Sequence, residues 1–214
     1  MAARGRPLGR KVLRQIATIV TPDTIMAWHR KLIAAADFFT TEVWTARGLV
    51  TYFTLFVIDV ATRRVYIAGT TTNPTSSWME QIARNLTDCE EGFLTGKRFL
   101  IIDRDAKFSP RFKSVLSSSS IEILLTAYQA PNMNAYAERF VRSIKYECLD
   151  QMILLGRESL VRTIAEYAAH YHDERSHQGI GNVLISGAVS HGEGVIETRE
   201  RLGGLLKYYH RRAA

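Results

Sequence analysis

"ADFFTTEVW" (36–44) and "LVTYFTLFVIDV" (49–60) decide the fold. Both are rich in β-branched and aromatic residues and alternate in polarity, the period-two pattern of strands. "RRVYIAGTT" (63–71) continues the pattern after a turn at "DVATRR", so three antiparallel strands are expected. Periodicity then changes. In "TSSWMEQIARNLTD" (75–88), Trp78, Ile82 and Leu86 are four apart, which predicts a helix. "RFLIIDRD" (98–105) holds a short continuous apolar run, as in a strand covered on both faces. "SPRFKSVLSS" (109–118) predicts a short helix capped by Ser109, the serine run 117–120 a loop, and "IEILLT" (121–126) another strand. Two amphipathic helices follow, in "NAYAERFVRSIKYE" (134–147) and "ESLVRTIAEYAAHYH" (158–172). The order is βββ-α-β-α-β-α-α, an α/β class with a mixed five-stranded sheet and helices on both faces.

The chain has 214 residues, enough for one core and a small appendage. No apolar run approaches the ~20 residues that span a bilayer. The N-terminus has no apolar signal core, so a cytoplasmic protein without membrane contact is expected. Cys89 and Cys148 have no metal-ligand spacing and read as reduced thiols.

The net charge of +7 is unevenly placed. Residues 1–33 carry seven bases, Arg30 and Lys31 among them, against the single acid Asp23. A basic arm on a near-neutral body points to a polyanion, with nucleic acid the default partner. Leu8, Val12, Ile16 and Ile19 have helical spacing, and Thr21-Pro22-Asp23 is a helix start. Two short helices there, the second basic, fit part of a helix-turn-helix. The tail "ETRERLGGLLKYYHRR" (197–212) is basic and partly apolar; packing, DNA binding and free extension all stay open for it.

Three acids stand out. Asp37 shares a strand face with Phe39, Thr41 and Val43, a costly place for a carboxylate without a partner or metal. Asp103 ends the buried strand. Glu138 lies at the border of the apolar helix face formed by Ala137, Phe140, Val141, Ile144 and Cys148, in line with Lys145 seven residues later. Converging carboxylates repel one another unless a cation intervenes. Hard divalent ions take oxygen ligands, and two of them form a clamp for in-line displacement at phosphate. Among rival acids, Asp105 lies two residues from Asp103, Asp59 fits an Asx-type turn, and Glu42 and Glu147 are expected to face solvent. A solvated Glu138–Arg142 pair is the plainer reading of that glutamate. His170, His172 and His177 lack a fourth ligand for zinc.

"ADFFT", "IIDRDAKF", "NAYAERFVRSIKYE" and "HYHDERSHQG" (170–179), taken as an ordered set, resemble the integrase catalytic core of bacterial insertion-sequence transposases. These are DDE enzymes of ribonuclease H-like fold, related to retroviral integrases. The resemblance spans 34–182, between a basic helical DNA-binding remnant (1–33) and a basic C-terminal tail (183–214). It implies a catalytic and metal-binding triad of Asp37, Asp103 and Glu138. Asp103 precedes Phe108 by five residues and is separated from Glu138 by 34, close to the family's intervals, whereas Asp105 fits neither. Lys145 matches the family's basic residue near the DNA end. Two Mg2+ (or Mn2+) ions, transposon-end and target DNA, and a homo-oligomer are the implied cofactors and partners. Lys145, Arg142 and Arg139 are expected on DNA phosphates, with Tyr128 and Gln129 in the loop before the helix and Arg30 and Lys31 in the basic arm. The family often has Asn-Gly where this chain has Arg104-Asp105, and Arg-Pro-His where it has Arg175-Ser176-His177. "WHRKLI" runs straight into "AAADFF", where relatives have a longer helical region. The expected activity is metal-dependent DNA cleavage and strand transfer. A shortened derivative that binds DNA or a full-length partner, and a ribonuclease H-like nuclease, are the alternatives.

Overall fold

The computed structural model describes residues 30–126, 134–187 and 194–212. The reading of residues 1–29 as two helices lies outside them. Five strands form one sheet: β1 (Ile33–Thr45), β2 (Gly48–Asp59), β3 (Val65–Thr71), β4 (Phe99–Ile102) and β5 (Glu122–Leu125). Their order is β3-β2-β1-β4-β5. β1, β2 and β3 pair antiparallel, whereas β4 runs parallel to both β1 and β5. Four helices cover the sheet: α1 (Ser76–Leu86), α2 (Pro110–Ser118), α3 (Ala135–Glu147) and α4 (Gly156–Asp173). The expected mixed five-stranded architecture is the one observed.

Side-chain alternation along the strands divides the core in two. Ala35, Phe39 and Val43 of β1, with Tyr52, Phe56 and Ile58 of β2, face α3 and α4. Ala34, Ala36, Leu55 and Val57 face α1 and α2. β4 is covered on both sides, which accounts for its continuous apolar run: Leu100 and Ile102 are fully buried, and Ile101 packs against the opposite cluster. The helix starts follow local chemistry. Thr75 accepts from the Trp78 N–H and caps α1; Ser109 accepts from the Phe112 N–H and caps α2, with Pro110 in the first turn. The serine run is not all loop, because Ser117 and Ser118 complete α2 before Ser119 caps it. At Gly69, beside a register shift in β3, a Cβ would stand 2.9 Å from the Trp78 ring, so glycine lets α1 sit close.

The tail folds. β6 (Ile196–Arg201) and β7 (Leu206–Arg211) form an antiparallel hairpin. Leu206 enters the α3/α4 core. Arg201 binds the buried Glu174 and reaches Glu166 at 2.8 Å, and Arg199 and His170 also contact Glu174. Burial alone would raise the Glu174 carboxyl, but hydrogen bonds from Arg201, His170 and Arg199 and the Arg201 charge hold it down at about 2. Among the described residues no helix is long and apolar enough to cross a membrane.

α3 is anchored by Phe140. Its ring lies 4.8 Å from Phe56, 5.0 Å from Tyr171 and 6.2 Å from Tyr167 between centroids. Phe140→Ala is expected to cost about 3–5 kcal/mol, read as a lower denaturant midpoint with an unchanged slope.

Candidate active site

Strand register brings the two aspartates together. β1 and β4 are parallel neighbours with Ala35 opposite Ile101. Two residues onward on each chain stand Asp37 and Asp103, just where β4 has ended. Both fall on the side that faces α3, since alternation places Asp37 with Ala35 and Phe39, and Asp103 with Ile101. Adjacent strands are ~4.8 Å apart, so the carboxylates emerge side by side at the carboxyl end of the parallel pair. Ligands of open α/β sheets gather at such ends. Glu138 stands in the first turn of α3 and is exposed.

The electrostatics report the convergence. Burial first, and then the nearby charges of Asp103, Glu138 and Asp105, push the half-buried Asp37 carboxyl up to about 6. The Phe38 N–H, donating to Asp37 Oδ1 at 2.7 Å, offsets part of this. Asp37 Oδ2 accepts from Asn134 Nδ2 at 3.4 Å. Asn134 is the N-cap residue of α3, yet its side chain makes no capping bond. Its Oδ1 is buried without a partner. This asparagine opens the stretch 134–147, where the charged residues are the more conspicuous candidates. An asparagine at a helix start is ordinarily read as a cap; here it turns toward the aspartate instead.

Asp105 is occupied differently. Its backbone N–H donates to Asp103 Oδ1 at 3.0 Å, which orients that carboxylate, and its own carboxylate pairs with Lys107. Burial would raise Asp105, but Lys107 lowers it below the usual carboxylate range. Asp59 forms the expected Asx-type turn, accepting from the N–H groups of Ala61 and Thr62, and also pairs with Lys97 at 2.5 Å. Glu42 is exposed as expected. Glu147 is not a solvated charge. It accepts from Tyr167 Oη at 2.9 Å and from Arg175 Nε at 3.0 Å and Nη2 at 2.6 Å. The three histidines are all engaged in the fold, His170 with Glu174, His172 with the Val65 N–H and His177 with the Tyr171 carbonyl.

Of the expected DNA contacts, Arg139 and Arg142 are exposed on α3 and Lys145 is half-buried in its last turn. No ion pair joins Glu138 to Arg142 among the described residues. Arg30 and Lys31 are exposed at the end of a helical turn leading into β1. Tyr128 and Gln129 lie outside the described residues.

Known proteins resemble this chain in fold and in part of its sequence. A family model described as the integrase core domain matches residues 119–183, which include Asn134, Glu138 and Lys145. A simian T-cell lymphotropic virus intasome, solved with PP2A regulatory subunit B56 gamma, superposes with a TM-score of 0.56 at 12% identity, over 85% of this chain and 67% of that one. The catalytic core domain of BIV integrase superposes with a TM-score of 0.52 at 11% identity, over 73% of this chain and 91% of that one. Residues 119–183 thus match the integrase core domain in sequence, and the described residues share the fold of these integrase structures. Among curated proteins no sequence matches it.

The residues suit a divalent cation. All donors are hard oxygens, Asn134 Oδ1 is an unused buried acceptor beside Asp37, and mutual repulsion of the acids is what a cation relieves. Among the described residues no three His, Cys, Asp or Glu side chains are close enough to hold an ion together.

The raised Asp37 has a consequence for stability. The native state holds its proton across about pH 4–6 while the unfolded chain has lost it, so stability falls as pH rises through that window. Asp37→Asn removes the penalty. In chelator, the variant is expected to melt several degrees above wild type at pH 7.5, at about 2–4 °C per kcal/mol, and the two are expected to coincide near or below about pH 4. Thermal melts across pH read this directly; equal midpoints at pH 7.5 would remove the assigned repulsion.

Proposed function

We propose that this protein is a DDE transposase that uses divalent metal to cleave a DNA strand and join the freed 3′ end to target DNA. The observation that carries the reading is the side-by-side emergence of Asp37 and Asp103 from parallel neighbours, with Glu138 electrostatically coupled across from them. Asp37, Asp103 and Glu138 would hold the divalent metal. Bound divalent metal supplies activation of the attacking oxygen and stabilisation of the leaving one.

The chain's own groups set the geometry for this chemistry. The Phe38 N–H and Asn134 amide orient the Asp37 carboxylate, and the Asp105 N–H orients Asp103. Phe140 fixes α3, and with it Glu138, over the strand ends. Lys145, on the same stripe of α3 as Glu138, would meet a DNA phosphate near the reacting bond. Exchange of one phosphodiester for another conserves bond type, so no nucleoside triphosphate is required. Action on paired DNA ends implies more than one copy of the chain.

Mg2+ or Mn2+ is expected to raise the thermal midpoint of wild type, with Asp103→Asn and Glu138→Gln each blunting the rise. With DNA carrying the element's ends, wild type is expected to form strand-transfer products, and each of the two variants to lose at least about 100-fold in rate. Cleavage without joining would instead identify a nuclease. Metal protection and DNA binding without cleavage would identify a non-transposing derivative.

A further inference from the structure

A second polar cavity lies on the other flank of α3. It holds about 310 Å³ and is lined by α3, the turn between β2 and β3, and the segment after α4. At ~100° per residue, Tyr136, Arg139 and Ser143 share this flank, whereas Glu138 and Lys145 lie on the opposite one, with Phe140 and Ile144 toward the core between them. The cavity is therefore separate from the carboxylates although the same helix builds both.

Its lining is cationic. Arg63, Arg139 and Arg175 face it, and none of its lining residues is acidic. Glu147, behind the wall, neutralises Arg175 through two hydrogen bonds. The Arg63 guanidinium lies over the Tyr136 ring, 3.3 Å from its centroid, and donates to the Val60 carbonyl, so its plane is held by packing. Arg139 makes no ion pair with a described carboxylate. Arg30, exposed at the entry to β1, acts electrostatically on Arg63 and adds to the positive field. Two guanidiniums without carboxylate partners among the described residues, one of them fixed in orientation, facing a cavity that also offers the Ser143 and Ser176 hydroxyls, suit a tetrahedral oxyanion. The volume admits a phosphate group with its attached sugar or water.

We infer that this cavity is a phosphate-binding site, distinct from the carboxylate centre, that receives a phosphodiester of the DNA backbone. It would hold the duplex at a second point and so fix its angle relative to the reacting bond. The inference rests on the DNA-acting function proposed above, but binding in chelator tests it without catalysis.

Two full-length variants probe it. Arg139→Gln removes an exposed guanidinium. Gly179→Asp puts a carboxylate at the cavity wall, where an added Cβ meets nothing within 4 Å. Arg84→Gln, on α1 across the sheet, is the matched charge control. Fluorescence anisotropy with a short duplex, in EDTA and over a salt series, reads affinity and its salt slope. Arg139→Gln is expected to weaken binding about 5–10-fold and to lower the slope by about 0.9, one phosphate. Gly179→Asp is expected to weaken it at least as much, and Arg84→Gln to leave the slope unchanged. Pyrophosphate is expected to raise the thermal midpoint of wild type but not of Gly179→Asp. If both cavity variants keep the wild-type slope while pyrophosphate protection is lost, the cavity serves free phosphate and the DNA assignment falls. If neither readout moves, the site itself is refuted. Loss of DNA binding in the cavity variants, with wild type inactive in strand transfer, would sustain the site and overturn the proposed function alone.

Discussion

The parallel pairing of β1 with β4 is the constraint on which the remainder depends. Three antiparallel strands can form by local hairpins, but β4 must return from 98 onward to lie beside β1, crossing over by way of α1. That return needs a strand apolar on both faces, because α1 and α2 cover one side and α3 and α4 the other. "FLII" meets the demand in four residues. Once Ala35 stands opposite Ile101, Asp37 and Asp103 have no freedom to be far apart. A shift of one residue in that pairing would send one aspartate into the α1/α2 core and leave the other alone.

Bringing acids together costs stability, and the surroundings reduce that cost only in part. Asp105 is relieved by Lys107, and Asp103 accepts a backbone N–H. Asp37 has one N–H from Phe38 and a long contact from Asn134, against burial and three neighbouring acids. The remaining penalty falls on Asp37, the most strongly raised of these carboxylates. An arrangement so unfavourable without a cation is what a metal-binding function would maintain, whereas a purely structural role would be met by an amide at position 37.

How far the site was legible follows from which interactions are local. The strands and helices announce themselves by period, and the caps Thr75 and Ser109 by residue type. Asp37 and Asp103 are visible because a carboxylate interrupts an apolar strand or ends one. Glu147 is not, since its partners Tyr167 and Arg175 lie twenty or more residues away and its own helix position reads as solvated. Asn134 goes unmarked for the opposite reason: an asparagine at a helix start is so ordinary that contact with Asp37, 97 residues earlier, leaves no trace in the pattern. The β6–β7 hairpin is obscure because it is held by charge as much as by burial. Leu206 is buried in the main core with Leu202 packed against it, and Arg201 reaches back to acids on and just beyond α4.

That hairpin shows how the chain can hold a charged segment against the body. Glu174 is buried, and a buried carboxylate is tolerated only when several donors surround it. Arg201 supplies a fork of bonds, His170 a ring nitrogen from one turn earlier and Arg199 a further contact. Removing Arg201 would strand the carboxylate, so the bond network specifies where the hairpin docks more than it adds net stability. The network also begins at the C-terminal end of α4, immediately before the Arg175–Gly179 wall of the cationic cavity. Hairpin docking and cavity shape therefore share an anchor: Glu174 binds the hairpin, and its neighbour Arg175 binds Glu147 on α3, the helix whose first turn carries Glu138.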